Sequence, residues 1–221
     1  MPVNKIAYEQ IVQGLSEKKV ILIAVSKTKP VSDILELYNL GQRDFGENYV
    51  QELKEKAGQL PADIRWHFIG HLQSNKVKQI VSFVHLIHGV DSVNLLKEIN
   101  KQGAKNNRII DCLLQVHIAQ EETKFGMDED ELSEVIKNQF ANVKISGLMG
   151  MASFTNDMNK VRKEFNYLKK LFDRVARLPV TNYQLHFLSM GMSSDYTIAI
   201  EEGSNMVRIG SLIFGERKLL F

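Results

Sequence analysis

Lys27 stands two residues beyond six unbroken apolar residues, Val20 to Val25, in the stretch V-I-L-I-A-V-S-K-T-K-P (residues 20–30). Partial desolvation lowers a lysine's pKa and makes its amine a nucleophile towards carbonyls. The plainer reading is a solvated loop lysine, and Lys29 beside it reads that way. Two later stretches carry the residue types that hold a phosphate: S-M-G-M-S-S-D (189–195) and R-I-G-S (208–211). Glycines let the backbone approach an anion, free N–H groups and a helix dipole favour it, and Ser193, Ser194 and Ser211 add hydroxyl donors. The plainer reading makes Gly191 and Gly210 turn residues and Ser193 a helix cap. Arg208 alternates with Val207 and Ile209, so it faces the opposite side of its strand. A buried arginine needs a ligand acceptor or a structural carboxylate partner.

These residues must be positioned by regular elements. Val20–Val25, with no polar alternation, reads as a strand buried on both faces, the kind found in parallel sheets. A leading amphipathic helix is expected over 4–17 and a helix from Ser32 or Asp33 to Gly41. Then follow a short strand in R-D-F-G-E-N-Y, a helix over 50–57, a strand over 65–69 and a helix over 74–83. Next come a strand over 84–88, a helix from Asp91 or Ser92 to Lys101, a strand over 109–116 and a helix over 128–138. The remainder reads as a strand over 143–149, a long helix over 159–176, a strand over 185–188, a short helix over 193–202 and a strand over 206–209. Strand and helix alternate about eight times without a composition break, which predicts one domain over 1–221 with the (β/α)8 barrel fold, an α/β TIM barrel. An open doubly wound sheet is the alternative, weakened because no G-x-G-x-x-G follows a strand. Chemistry in a barrel belongs to the loops after the strands: Lys27, Glu47-Asn48, His67 with Gly70-His71, Lys124, Met149–Ser153, Ser189–Ser194, and Arg208 with Gly210-Ser211.

The chain has 221 residues, 44% hydrophobic and 24% charged, with a net charge of +2. That balance gives no reason to expect nucleic acid or a membrane surface as partner. One cysteine, Cys112, excludes internal disulfides and fits a reducing compartment. No secretory signal or membrane-length apolar run is evident, so the expectation is a soluble cytoplasmic protein. No metal site is expected: His67 and His71 straddle a strand end, and His85 and His88 cannot both face inward. His117 and His186 read as core or rim histidines. Met149, Met151, Met190 and Met192 fall at strand ends, as packing residues or an apolar wall for a flat ring. An amine, a phosphate cradle and an arginine together suit an aldehyde-bearing phosphate ester with an aromatic nitrogen, pyridoxal 5′-phosphate (PLP). A sugar-phosphate aldolase working through a lysine Schiff base needs similar parts, so the residues alone leave both open.

A-V-S-K-T-K-P (24–30), F-G-E-N-Y-V-Q-E (45–52), W-H-F-I-G-H-L-Q-S-N-K (66–76), G-L-M-G-M (147–151), L-S-M-G-M-S-S-D (188–195) and V-R-I-G-S-L-I-F-G (207–215) carry a further signal. In order and through nearly the whole chain, they resemble the pyridoxal phosphate homeostasis protein family, itself similar to the N-terminal barrel of alanine racemase. The resemblance implies an alanine-racemase-type barrel with an extra N-terminal helix. It implies PLP as cofactor, with Lys27 as the Schiff-base lysine and Asn48 near the ring. It also implies Ser193, Gly210 and Ser211 at the phosphate and Arg208 at the pyridine nitrogen.

An arginine keeps its proton and leaves the ring nitrogen unprotonated, so the ring is a poorer electron sink. A racemase needs a second acid–base group on the other ring face. In alanine racemase this comes from a further domain, for which no residues are expected here beyond Phe221. The expectation is therefore a PLP carrier with no catalytic residues, active in buffering or delivering the cofactor. Its expected partners are PLP and PLP-dependent apo-enzymes, and its expected state is a monomer. The alternative is a weak PLP-dependent amino-acid racemase. Lys124 is either a second amine for cofactor transfer or a surface lysine.

Overall fold

The computed structural model describes residues 3–119, 125–178 and 183–215, so Lys124 lies outside the described residues. Eight parallel strands close into a barrel in chain order: β1 (Ile21–Val25), β2 (Asp44–Glu47), β3 (Arg65–Phe68), β4 (Leu86–Val90), β5 (Ile110–Gln115), β6 (Val143–Met149), β7 (Tyr183–Met192) and β8 (Met206–Ile209). Around it lie α1 (Lys5–Glu17), α2 (Val31–Asn39), α3 (Val50–Ala57), α4 (Val93–Lys105), α5 (Glu129–Lys137), α6 (Met158–Ala176), α7 (Tyr196–Glu201) and α8 (Ser211–Phe214). The expected barrel and N-terminal helix are both present. Closure is made by β1 on β8, with Ile23 opposite Arg208 and Ala24 opposite Ile209.

Local chemistry starts the helices where polar residues precede apolar stripes. Asn4, Ser92 and Asp157 accept backbone N–H groups at the starts of α1, α4 and α6, and Asp128 forms a capping box with Glu131 on α5. The buried stripe of α6 runs Val161, Glu164, Phe165, Leu168, Leu171 and Val175, the spacing of one helix face. The main core lies between barrel and helices and includes Phe45, Trp66, Phe68 and Phe165. A small second core, Ile23, Leu86, Leu113, Met149 and Met206, fills the barrel interior.

Several boundaries differ from the sequence expectation; the seventh strand, expected over 185–188, runs Tyr183–Met192. Residues 74–83 form a 3-10 helix over Ser74–Gln79 followed by turns. Arg108 donates to the carbonyls of Val81 (2.5 Å) and Val84 (3.0 Å), taking acceptors that a continuing helix would use. The fourth strand begins at Leu86, leaving His85 ahead of it with its N–H on Trp66 O at 2.8 Å. Helix α7 starts at Tyr196 with Asp195 in the cap position. Ser193 therefore does not cap it; its Oγ accepts the Gly210 N–H at 3.2 Å.

Candidate functional site

A cavity of about 510 Å³ opens at the carboxyl end of the strands. Lys27, Asn48, Ser193, Arg208, Gly210 and Ser211 all line it, so the structure gathers in one place all six residues singled out from the sequence. Met151, Phe154, Met192 and Ile69 add apolar wall. Met149 lies inside the barrel core and Met190 on the helix-facing side, so only Met151 and Met192 of the four methionines reach the cavity. The charged residues of the lining are Lys27, Lys29 and Arg208; among the described residues no carboxylate lines it. Such a space favours an anion. A depression of about 580 Å³ on α6, beside Arg162 and Lys163, is an exposed groove whose Arg162 is already paired with Glu201 and Glu202.

The turn carrying Lys27 is clamped from several sides. Thr28 has φ +62°, a left-handed conformation that a β-branched residue adopts at a cost. Its N–H donates to Glu52 Oε1 at 2.6 Å. Lys56 donates in turn to Glu52 (2.6 Å), to Glu47 (2.7 Å) and to the Ser26 carbonyl (2.7 Å), and Ser26 Oγ donates to Glu47 at 2.6 Å. Glu47 is fully buried, and burial raises its carboxyl pKa above the usual range although Lys56 and Ser26 oppose this. Lys29 is not the solvated lysine expected: its ammonium donates to the carbonyls of Phe214 (2.7 Å) and Gly215 (3.2 Å) at the end of α8. It thereby ties the β1 turn to the chain after β8.

Arg208 is 4% exposed. Its Nη1 donates to Ser189 O (2.9 Å) and Ser189 Oγ (2.6 Å), and its Nη2 donates to Gly150 O (3.1 Å). The structural carboxylate pair considered from the sequence is absent from these hydrogen bonds. Burial lowers the guanidinium to about 10, with Asp195 opposing, so it remains a cation at neutral pH. Asn48 Oδ1 is buried with no hydrogen-bond partner among the described residues. Both features call for a ligand: one supplying an acceptor for the arginine, the other a donor for the amide oxygen. Helix α8 begins after Gly210, whose N–H goes to Ser193 Oγ, and an added Cβ there would lie 3.2 Å from Val25 O. A side chain at this position would press on the β1 backbone.

The pattern recurs in known proteins. The sequence model for "Alanine racemase, N-terminal domain" matches residues 8–218. A pyridoxal phosphate homeostasis protein of Aquifex aeolicus (strain VF5) is 44% identical over 208 residues, spanning 93% of this chain and 90% of the relative. The chain belongs to the pyridoxal phosphate homeostasis protein family. A relative of the same name from Vibrio alginolyticus is 39% identical over 222 residues, covering 97% of this chain and 94% of its own. Among solved structures, PipY of Synechococcus elongatus PCC7942 with PLP bound superposes with a TM-score of 0.84 at 33% identity, covering 95% of this chain and all of its own.

At the other mouth of the barrel, Asp44, His67 and His85 bring ligand-type atoms within 4.8 Å of one another, a grouping that His67–His71 spacing did not suggest. Both Asp44 oxygens are already held by the guanidinium of Arg65, and His67 Nε2 meets Oδ1 at 3.0 Å. The arginine occupies the place a cation would take. His88 faces inward, fully buried, while His85 is exposed. Of the two other histidines, His117 is partly buried and His186 exposed at the rim.

The clamp of Glu47, Glu52 and Lys56 was missed in the sequence. Its signals were Glu47 among the residues after strand ends and the i,i+4 spacing of Glu52 and Lys56 on the helix over 50–57. No described helix is long and apolar enough to cross a membrane.

Proposed function

We propose that this chain binds pyridoxal 5′-phosphate at the carboxyl end of its barrel, with Lys27 holding the aldehyde as a reversible Schiff base, and that it buffers and delivers the cofactor. The carrying observation is the lining itself: two lysine amines, of which Lys29 is bonded to two carbonyls, one buried guanidinium and a Gly–Ser cradle, with no carboxylate among the described residues. The names of the relatives and the PLP in the PipY structure support the reading. In it, Ser193, Gly210 and Ser211 hold the phosphate, Asn48 offers its amide to the ring, and Arg208 donates to the ring nitrogen.

When bound, PLP supplies an electron-withdrawing ring; an arginine at its nitrogen weakens that capacity. The described lining also has no histidine, tyrosine or cysteine, and its second lysine, Lys29, is committed to two carbonyls. A racemase needs a second acid–base group facing the substrate. These features favour storage and delivery, with PLP-dependent apo-enzymes as recipients of the cofactor.

The test is the visible spectrum of the purified protein after adding PLP, beside Lys27→Ala. A yellow Schiff-base band in the first and none in the second is expected; no band in the wild type overturns the reading. Chiral analysis after incubation with L- and D-amino acids separates carrier from racemase, since sustained turnover lost in Lys27→Ala would sink the carrier.

A further inference from the structure

A continuous line of polar side chains crosses the otherwise apolar barrel interior, from its amino-terminal mouth to Arg208. Asp44 Oδ1 meets His67 Nε2 at 3.0 Å, His67 Nδ1 meets His88 Nε2 at 2.9 Å, and His88 Nδ1 meets Ser189 Oγ at 3.2 Å. Ser189 Oγ then accepts from Arg208 Nη1 at 2.6 Å. His67 and His88 are at most 2% exposed and Ser189 is fully buried, so water does not substitute for a missing link. Four different strands and the start of β2 supply these residues, and none but Arg208 touches the cofactor cavity.

The two ends of the line set its direction. Arg208 has donors only, and an ionised Asp44, held by Arg65, has acceptors only. Between them stand four links, and each of Arg208, Ser189, His88 and His67 has one proton to give to the next if both rings are neutral. His67 must then carry its proton on Nε2, facing Asp44, which leaves Nδ1 to accept from His88. His88 likewise carries its proton on Nε2 and accepts the Ser189 hydroxyl at Nδ1. That leaves a serine lone pair for the arginine. One extra proton on either ring makes two donors face each other inside the core, or reverses the line and strands the Ser189 hydroxyl.

We propose that Asp44, His67, His88 and Ser189 are positioning residues for Arg208, forming a one-way hydrogen-bond relay that locks both imidazoles as neutral Nε2–H tautomers and ties the arginine's placement to the opposite mouth. The groups facing His67 are Asp44 from β2, Arg65 from β3, His85 ahead of β4 and His88 from β4. Those facing His88 are His67, His85 and Arg208 from β8. Burial pushes both rings below the ordinary histidine range, and for His88 the neighbouring His67 and Arg208 push the same way. The relay's consequence for the cofactor rests on the PLP reading of Arg208; its tautomers do not.

Two measurements test it. Nitrogen-15 NMR of the imidazoles in the intact protein without cofactor is expected to give Nε2–H, neutral, for both His67 and His88 at pH 7. An Nδ1–H or doubly protonated ring at either position overturns the relay, whatever PLP does. With PLP bound, His67→Phe, which lies outside the cavity, is expected to speed cofactor dissociation at least threefold and to shift the pH profile of the absorption band. The control His85→Ala, which is not a link, keeps the wild-type values. Wild-type dissociation and pH profile in His67→Phe refute the coupling to Arg208. Where that variant does not fold, Ser189→Ala removes one link with little volume change and is read the same way. A wild type that never takes up PLP defeats the cofactor reading and, with it, the coupling, while the NMR result still decides the relay.

Discussion

Lys56→Met tests the clamp under Lys27 through a loss of stability that depends on pH. The ammonium of Lys56 serves Glu47, Glu52 and the Ser26 carbonyl, and both Lys56 and Glu47 are buried. Methionine keeps the length and apolar stem and removes the charge. Glu47 then keeps only the Ser26 hydroxyl, with Oε2 already unpartnered. An uncompensated carboxylate at this depth costs several kcal/mol, but the group can take a proton instead. From the ordinary value of 4.5 up to an assay at pH 7, at about 1.4 kcal/mol per pH unit, protonation caps its share of the loss at about 3 kcal/mol. Part of that is already borne in the wild type, because burial raises the Glu47 pKa there too. The orphaned Ser26 carbonyl adds about 1 kcal/mol at any pH. The expected loss is therefore about 2–4 kcal/mol at pH 7, falling by at least half at pH 5 as the protonation cap shrinks. Urea unfolding of both proteins at pH 5, 6 and 7 reads this directly. An equal loss at all three would mean that Lys56 does not neutralise an ionised Glu47. Relaxation of the strained Thr28 turn is also expected to hasten PLP release.

Gly191→Ala should destabilise the fold by more than about 2 kcal/mol, since forced backbone and overpacking each cost roughly 1–3 kcal/mol. Gly191 has φ +97°, and its added Cβ would lie 2.6 Å from Ala199 Cβ. Adding Ala199→Gly should recover only part of the overpacking share, because Tyr196 Cα still lies 2.9 Å from the added Cβ, and full recovery would refute the backbone argument. For pH, His67 and His88 have lowered values, so they stay neutral in the fold while the unfolded chain takes up protons below about 6.5. Their contribution is whole above that pH and is lost as pH falls. At Asp44, burial pushes upward, but the hydrogen bonds of Arg65 and His67 prevail and bring it to about 2, so its contribution is lost only below about 4. Glu47, with its raised pKa, gains stability as pH falls and opposes this, so the test is made in Glu47→Gln: its urea midpoint should begin to fall between pH 6.5 and 5, before the Asp44 carboxylate takes part, and a flat profile there would contradict neutral buried rings.

The barrel was legible because apolar strand runs and capped amphipathic stripes alternate with a regular spacing, and that regularity depends on local chemistry. Boundaries were lost where distant residues intervened: Arg108 takes carbonyls from the segment before β4, and Ser204 Oγ is shared among the carbonyls of Leu188, Met190 and Met206 beside a seventh strand longer than expected. The cavity residues were legible because strand ends in a barrel converge. The clamp and the relay were not. Their members are far apart in the chain, as with Lys56 and Ser26 or His88 and Ser189, and each alone reads as an ordinary lysine, histidine or serine. Lys29 misled for the same reason: its partners lie 185 and 186 residues away.

Arg208 and Asn48 carry the same physical argument to the ligand. A guanidinium bonded only to neutral oxygens is less well compensated than one in an ion pair, and a buried amide oxygen without a donor forfeits a hydrogen bond that water would give it. The relay behind Arg208 keeps it from turning away to find a better partner, and the clamp holds the turn of Lys27 at the end of the adjoining strand β1. The fold thus retains two polar groups whose best satisfaction comes from a ligand in the cavity. A ligand that meets both binds the folded chain alone, so its affinity adds directly to stability, by RT ln(1 + [L]/Kd). On the proposed reading PLP would offer its aldehyde to the lysine, its ring nitrogen to the guanidinium and its phosphate to the Gly–Ser cradle, whereas a sugar phosphate leaves the arginine without an aromatic acceptor.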